Sequence, residues 1–278
     1  MAAPLEPALV GLIDDAAIFP PGNAELTDAA HAYVDRDLPL VGSFVLRDTD
    51  LPRLAAALGV RLPVSVVVTG GAGQVAGPAA FCAREQGFEL VGLEIALRDL
   101  DDLAGNVRRV TAAVDAARAE GTLDDEVPVY VELPHVGSSA SWLAAADEVA
   151  AAELRLKFRT GGPEPEAHPP AHALARWIDA ALDRETAFKC TAGLHHAVRN
   201  TSPEGVEQHG FLNVLLATAR AFEGAGADDV VASLEERDGA ELAAADWRAG
   251  RRWFTSFGSC SIAEPLADLR DLGLVDAP

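Results

Sequence analysis

The sequence predicts a single-domain α/β protein of the (β/α)8, or TIM, barrel class. Short aliphatic and β-branched runs alternate along the chain with longer stretches rich in Ala, Glu and Arg, as strands alternate with helices in such a barrel. Eight runs of this kind occur, and 278 residues is a length that one α/β barrel commonly occupies. An open doubly wound sheet is the alternative, but no GxGxxG motif follows the first run.

The eight candidate strands follow one another in order. They are VGLID at 10–14, GSFVLR at 42–47, VSVVVTG at 64–70, LVGLEIAL at 90–97, VPVYVELP at 127–134, LRLKFRTGG at 154–162, AFKCTAG at 187–193 and WFTSFGSCS at 253–261. About sixty residues separate the last two strands. We therefore expect one domain over 1–278 with an extra helical excursion around 224–250, or a further strand at DDVVASL.

Composition and charge disfavour several classes of function. The formal net charge of −21 makes nucleic acid and anionic membranes unfavourable partners. No apolar run approaches the roughly 20 residues that cross a bilayer, and the amino terminus lacks a basic n-region, so we expect a soluble, cytoplasmic protein. Cys82, Cys190 and Cys260 show no CxxC spacing, which argues against a disulfide scaffold or a structural zinc site. A homo-oligomer is compatible with these features.

Lysine occurs at only two positions, Lys157 and Lys189, and arginine supplies the rest of the strongly basic side chains. The codon bias of a GC-rich genome makes lysine rare, but it would scatter the remaining lysines over the surface. Leu156 and Phe158 alternate with Lys157 and should face the surrounding helices, so Lys157 should point into the barrel. The same alternation turns Lys189 of the seventh strand and Glu94 of the fourth strand inward.

The inward lysines indicate carbonyl chemistry. Arginine cannot lose a proton near neutral pH, whereas a neutral lysine amine attacks a carbonyl to form a Schiff base. Neighbouring strands lie about 4.8 Å apart, so the two amines should lie close together, and their like charges should lower the pKa of at least one of them. The alternative is that each lysine forms an ordinary buried ion pair with Glu94 or Glu132.

Further basic and N–H-rich groups follow the two lysine strands. We expect an anion clamp made of Arg159, Arg199, His195, His196 and the backbone of Thr160, Gly161 and Gly162. Such a clamp would concentrate an anionic substrate in spite of the negative net charge. The alternative is that the two arginines pair with surface acids. One histidine of the pair could also serve as a general acid or base.

Two other functions stay open at this point. One is a metal-dependent lyase or hydrolase, whose candidate ligands are His195, His196, His209, Asp14, Asp15 and Glu132. The sequence has no HxH or HExxH spacing, and we expect no metal. The other is a non-catalytic barrel that binds small anions.

Asp14 or Asp15 could also act as a base, orient a lysine or cap the next segment. His168 is expected on a loop or helix surface, and Cys260 could be reached from the pocket.

Four short motifs at strand ends resemble one family. KFRTGG, KCTAGLHHAVR, FGSCS and LIDDA are similar to motifs on strands six, seven, eight and one of class I, Schiff-base-forming aldolases of the deoxyribose-phosphate aldolase type. The resemblance implies that Lys157 forms the Schiff base, that Lys189 lowers its pKa and that Glu94 transfers protons. The sequence departs from the family at Arg159, where the family has a small serine, at Glu94, where it has aspartate, and in the two histidines after Gly193.

The residues and the resemblance together predict an aldolase-type lyase. It would act without a cofactor on a small anionic carbonyl substrate carrying a phosphate or carboxylate. The predicted catalytic residues are Lys157, Lys189, Glu94, His195, His196 and Asp14. The predicted substrate-binding residues are Arg159, Thr160, Gly161, Gly162, Thr191, Arg199, Gly258 and Ser259.

Overall fold

The computed structural model describes residues 5–135 and 138–276, and its centre is a closed barrel of eight parallel strands. The barrel strands are β1 (Ile13–Asp15), β2 (Val41–Arg47), β3 (Leu62–Val68), β4 (Phe88–Ala96), β5 (Val129–Glu132), β6 (Arg155–Arg159), β7 (Phe188–Thr191) and β10 (Phe254–Ser259). They are hydrogen-bonded in the order β1, β10, β7, β6, β5, β4, β3, β2. Outside the barrel, β8 (Asn200–Thr201) and β9 (Glu207–Gln208) form an antiparallel hairpin. The predicted (β/α)8 class is confirmed.

Helices follow the barrel strands and form the outer layer. They are α1 (Leu26–Arg36), α2 (Leu51–Ala55), α3 (Ala76–Arg84), α4 (Leu103–Ala119), α5 (Ala140–Ala151), α6 (Ala171–Leu182), α7 (Phe211–Phe222), α8 (Ala227–Glu235), α9 (Gly239–Ala244) and α10 (Ala263–Asp271). The helices α8 and α9 lie in the long segment between β7 and β10, and DDVVASL forms part of α8 instead of a strand. Among the described residues, no helix is both long and apolar enough to cross a membrane.

Alternation along the strands separates an apolar outer face from a polar inner face. Phe158 of β6 packs outward, where its ring centroid lies 5.7 Å from that of Trp177 in α6 and 5.0 Å from that of Phe188 in β7. Removing such rings from water is strongly favourable, and their tilted contacts add to the gain. Because neighbouring side chains of a strand point to opposite faces, the outward packing of Phe158 turns Lys157 into the barrel.

The strands β1 and β7 are shorter than the sequence pattern predicted. Gly11 adopts a left-handed φ of 60°, which an extended strand cannot include, so β1 begins at Ile13. At the other end, Ala192 and Gly193 have φ values of 61° and 77°, and β7 therefore ends at Thr191. Gly11 therefore lies in the loop before β1, at the amino end of the barrel, whereas Ala192 and Gly193 lie in the loop after β7, at its mouth.

The loops after β6 and β7 touch backbone to backbone. A Cβ on Gly161 would lie 2.6 Å from the Cα of Gly193, and a Cβ on Gly193 would lie 2.6 Å from the carbonyl oxygen of Thr160. The Thr160 hydroxyl donates to the Ala192 carbonyl at 2.5 Å, and its backbone N–H donates to the Thr191 carbonyl at 2.9 Å. These contacts set the spacing of the two lysine strands at their upper ends.

We expect Gly161→Ala to lower the free energy of unfolding by about 1–3 kcal/mol, because the added methyl group meets backbone that cannot move aside. Urea unfolding followed by circular dichroism measures this change. Gly73→Ala is the matched control, since nothing lies within 4 Å of a Cβ built there. An equal unfolding midpoint for the two variants would show that the backbone contact is not tight.

Candidate active site

The carboxyl ends of the barrel strands surround a cavity of about 500 Å³. The residues of its apolar wall are Ala16, Phe19, Pro20, Pro21, Val45, Val67 and Ala96. Its polar lining includes the buried side chains of Glu94, Lys157 and Lys189. The two lysines lie one inward position deeper along their strands than Arg159 and Thr191. TIM-barrel enzymes place their catalytic groups at this end of the barrel.

Lys157 and Lys189 occupy the same register position of the adjacent strands β6 and β7. One oxygen of the Glu94 carboxylate lies 2.7 Å from Lys157 Nζ, and the other lies 2.7 Å from Lys189 Nζ. The side chains of the two lysines are only 5% and 2% exposed. A single buried carboxylate therefore bridges both ammonium groups, which meet in one cavity as the sequence predicted.

Two further carboxylates flank this bridge. Glu132 of β5 lies 2.8 Å from Lys157 Nζ, and its other oxygen accepts a hydrogen bond from Arg159 Nε at 2.9 Å. Asp14 of β1 lies 2.7 Å from Lys189 Nζ. In this cluster the three cationic side chains are matched by three carboxylates, which is how a nearly dry interior can hold so much charge.

Two hydroxyl groups bind the Asp14 carboxylate, and a third hydroxyl group contacts one of them. Ser43 of β2 donates to one oxygen at 2.6 Å, and Ser256 of β10 donates to the other at 2.6 Å. The hydroxyl of Ser65 in β3 lies 2.8 Å from that of Ser43. These hydrogen bonds fix the position of the Asp14 carboxylate beside Lys189 Nζ.

The charges of the cluster shift one another's pKa values. Burial alone would lower the pKa of Lys157, but the attraction of Glu132 and Glu94 outweighs the desolvation, and the pKa is raised. Burial likewise opposes the charge on Lys189, and Asp14 and Glu94 raise its pKa. Burial would raise the pKa of Glu94, but the two lysines hold it at about 2. In the resting protein both amines are protonated and Glu94 is ionised.

This result corrects one expectation. The like charges of two neighbouring lysines were expected to lower the pKa of at least one amine, but the structure raises both values. The reason is that each ammonium group contacts two carboxylates, whose attraction exceeds the repulsion between the amines. The alternative prediction of buried ion pairs with Glu94 and Glu132 describes the resting contacts of Lys157.

The other predicted site residues are divided between the cavity and its surroundings. Those that line the cavity are Arg159, Gly162, Thr191, His195 and Gly258. Asp14 is connected to the cavity through its ion pair with Lys189. Thr160 and Gly161 hold the two loops together, and the Ser259 hydroxyl donates to the Ser261 carbonyl at 2.6 Å. The donors of Thr160 and Ser259 are thus already used within the protein.

The predicted anion clamp is not assembled as a unit. Arg199 pairs with Glu207 at 3.0 Å, and His196 Nδ1 lies 3.1 Å from Asp268. Both residues line a neighbouring open groove of about 800 Å³ beside the β8–β9 hairpin. The chain turns into this hairpin soon after β7, and this course carries Arg199 away from the lysines. Of the predicted clamp, Arg159 belongs to the charged cluster, through its ion pair with Glu132.

The histidines of the metal hypothesis have separate partners. His209 is buried, its Nε2 donates to the Pro169 carbonyl at 2.8 Å, and burial lowers its pKa to about 4. His195 Nδ1 lies 3.7 Å from a carboxylate oxygen of Glu264. Within 5–135 and 138–276, no group of three or more His, Cys, Asp or Glu side chains is arranged to hold a metal ion. The predicted ligands therefore do not form a coordination shell.

Several residues of the cavity were not predicted as catalytic or substrate-binding residues, although Cys260 was expected to be reachable from it. His168 was expected on a loop or helix surface; it lies on the loop after β6 and also lines the cavity, where its Nε2 donates to the Gly162 carbonyl at 3.1 Å. Phe19 and Pro21, from the loop after β1, and Gln208 of the hairpin also reach the wall. Cys260 lies 3.7 Å from His195 Nδ1, and burial raises the pKa of its thiol. Gln208 belongs to a short hairpin outside the barrel and the others lie on loops, so the alternation of the barrel strands gives no signal for them.

The sequence matches no protein-family model and no curated protein. Among solved structures, the fold is similar to deoxyribose phosphate aldolase from Aeropyrum pernix, which is described as a tetramer. The TM-score is 0.52 and the sequence identity is 14%, and the match covers 95% of this chain and 92% of that chain. It is also similar to a putative deoxyribose-phosphate aldolase from Coccidioides immitis, with a TM-score of 0.53, 13% identity, and coverage of 97% and 89%. At this identity the likeness establishes a TIM barrel like that of these aldolases.

We expect Glu94→Gln to lower the free energy of unfolding at neutral pH by about 3–5 kcal/mol, because it leaves two buried ammonium groups short of one carboxylate. The pKa of Glu94 is about 2 in the folded chain, below the ordinary glutamate value of 4.5. Its stabilising contribution is therefore fully present above about pH 4.5 and is lost as the pH falls towards 2.

Urea unfolding of the native protein and of Glu94→Gln between pH 7 and pH 3 measures this difference. The gap between the two proteins should be constant above about pH 5 and should shrink at lower pH. A gap that stays constant down to pH 3 would contradict the ionised bridge.

Proposed function

We propose that this protein is an aldolase-type lyase that forms a Schiff base between Lys157 and a small carbonyl substrate carrying a phosphate or carboxylate. The observation that carries the proposal is the pair of lysines at one register position of β6 and β7, bridged by Glu94 within a cavity at the carboxyl end of the barrel. The two aldolase structures with a similar fold also support it.

The reaction begins when the neutral amine of Lys157 attacks the carbonyl carbon of the substrate. The carbinolamine loses water and becomes a protonated imine, whose nitrogen draws electrons from the neighbouring carbon–carbon bond. A base takes the proton of the β-hydroxyl group, the bond breaks, and a second carbonyl compound leaves. Protonation of the remaining enamine and addition of water release the first product. Water is lost once and added once, so the net change is cleavage of one carbon–carbon bond.

Lys189 supplies a fixed positive charge beside this chemistry. Asp14 holds it from one side and Glu94 from the other, and the Tyr130 ring centroid lies 5.2 Å from its Nζ. A charged ammonium group favours the neutral form of Lys157 and stabilises negative charge on the carbonyl oxygen. Glu94, between the two amines, and His195, at the mouth, are the groups that we propose for proton transfer.

Arg159 is the residue that we propose for the anionic end of the substrate. Its side chain is 36% exposed at the cavity, and a guanidinium group binds a phosphate or carboxylate with two parallel hydrogen bonds. Gly162, Thr191 and Gly258 line the same space, whose volume of about 500 Å³ suits a small substrate. The tetramer described for the Aeropyrum pernix protein supports a homo-oligomeric state here also.

Borohydride trapping tests the proposal. The protein is incubated with pyruvate, glyoxylate, acetaldehyde or glyceraldehyde 3-phosphate, reduced, digested and examined by mass spectrometry. We expect a reduced adduct on Lys157 with at least one of these compounds. Lys157→Arg keeps the positive charge but cannot form an imine, so we expect it to abolish both the adduct and turnover.

Other outcomes of the same experiment would count against this assignment. An adduct on Lys189 alone would exchange the roles of the two lysines. No adduct with any carbonyl compound, combined with a stoichiometric transition metal in elemental analysis, would favour the metal-dependent alternative. No adduct and no metal, with thermal stabilisation by phosphate retained in Lys157→Arg, would favour an anion-binding protein without catalysis.

A further inference from the structure

We propose that Glu132 is the base that deprotonates Lys157, and that the anionic group of the substrate triggers this transfer by binding Arg159. The inference rests on the proposed Schiff-base function and adds to it a catalytic residue and a means of activation. It addresses the main obstacle in the resting structure, where the carboxylates around Lys157 keep the amine protonated and therefore unable to attack a carbonyl.

Glu132 links the two groups with its two oxygens. Oε1 accepts a hydrogen bond from Arg159 Nε at 2.9 Å, and Oε2 lies 2.8 Å from Lys157 Nζ. The carboxylate thus lies between the guanidinium group and the amine. The 2.8 Å between Lys157 Nζ and Oε2 is within reach of a direct proton transfer, so the two groups do not have to approach each other.

Glu94 also contacts Lys157, but it is a poorer acceptor. Its second oxygen is held at 2.7 Å by Lys189, which is itself fixed by Asp14. The two ammonium groups keep the pKa of Glu94 at about 2 against the effect of burial, and a substrate at the cavity mouth does not remove either of them. Glu132 differs because one of its two cations, Arg159, extends towards the mouth.

Arg159 can respond to a ligand. Its contact with Glu132 uses Nε, and its two terminal nitrogens have no hydrogen-bond partner among the described residues. Its side chain is 36% exposed, whereas that of Glu132 is 11% exposed. A phosphate or carboxylate can therefore bind the terminal nitrogens in the fork geometry that guanidinium groups favour, while Nε stays on Glu132.

The arrangement of Arg159, Glu132 and Lys157 determines in which direction a bound anion shifts the proton. In the resting cluster Arg159 and Lys157 both stabilise the Glu132 anion, and they lower its pKa in spite of burial. An anion on Arg159 offsets that guanidinium charge and repels the Glu132 carboxylate, which lies nearer to it than the Lys157 amine does. The charged pair of Lys157 and Glu132 is thereby destabilised relative to the neutral pair. The proton moves to Glu132, and the neutral amine attacks the carbonyl.

Separating the substrate into two pieces tests this coupling. The probe is propanal, a neutral aldehyde, with or without inorganic phosphate, at an ionic strength held constant with sodium chloride. The rate of formation of the borohydride-trapped Lys157 adduct is measured by mass spectrometry. In the native protein we expect phosphate to raise this rate about tenfold, the effect of a one-unit shift in the pKa of Glu132.

Two variants and two matched controls locate the effect. We expect the ratio of the rates with and without phosphate to fall to one in Arg159→Gln, which cannot bind the anion, and in Glu132→Gln, which cannot accept the proton. Arg108→Gln and Glu148→Gln remove the members of an exposed ion pair between α4 and α5, and both should keep the native ratio. Each ratio is internal to one protein, so a general change in folding or in basal rate does not alter it.

The outcomes separate this inference from the function on which it rests. A native ratio of one, or an acceleration by phosphate that persists in Glu132→Gln, would overturn the role of Glu132 while an adduct on Lys157 upheld the Schiff base. Loss of the acceleration in the Arg108 or Glu148 control would overturn it as well. Absence of any Lys157 adduct in the native protein would instead reject the proposed function itself.

Discussion

The carboxylate of Glu94 bridges the ammonium groups of both lysines, and the polar interior of the barrel depends on this contact. Two buried lysine charges would destabilise a closed barrel unless each met opposite charge at hydrogen-bond distance. Glu94 meets both, and Asp14 and Glu132 complete the set from β1 and β5. The charged cluster thus ties together strands on opposite sides of the barrel, while the outward-facing side chains hold the same strands to the helices.

The pairing that makes the cluster stable also makes it unreactive. As long as every amine is held by two carboxylates, neither amine is free to attack a carbonyl. The proposed Schiff-base function therefore requires that a proton be redistributed within the cluster when a substrate binds. Arg159 is the charged group that joins the cluster to the cavity mouth. In a chain of net charge −21, the proposed binding of an anion at one paired arginine would give local recognition without a broad positive field.

The sequence could predict the barrel and the inward lysines because both follow from periodicity. Phe158 is apolar and Lys157 is charged, so the two-residue repeat of a strand decides which of them meets the helices. The partners of the lysines could not be predicted in the same way, because they depend on strand register and on the reach of side chains across the barrel. Glu94 contacts Lys189 although β4 and β7 are not neighbours in the sheet.

The loops show the limit of sequence reasoning more plainly. Arg199 and His196 follow a lysine strand closely in sequence, but the β8–β9 hairpin and α10 hold them in another groove. His168 lies in a proline-rich segment without regular periodicity, and yet its imidazole reaches the cavity. The paths of such segments are set by tertiary contacts, which a pattern along the chain does not encode.

Because the chain contains only two lysines, labelling with lysine enriched in ¹⁵N at Nζ gives an NMR spectrum with two side-chain signals, one from each amine of the cluster. The account predicts that both amines remain protonated beyond the ordinary lysine pKa of about 10.4, and that Glu94→Gln shifts both resonances together. A signal that titrates below that value, or one that is unaffected by the substitution, would contradict the claim that one carboxylate binds both ammonium groups.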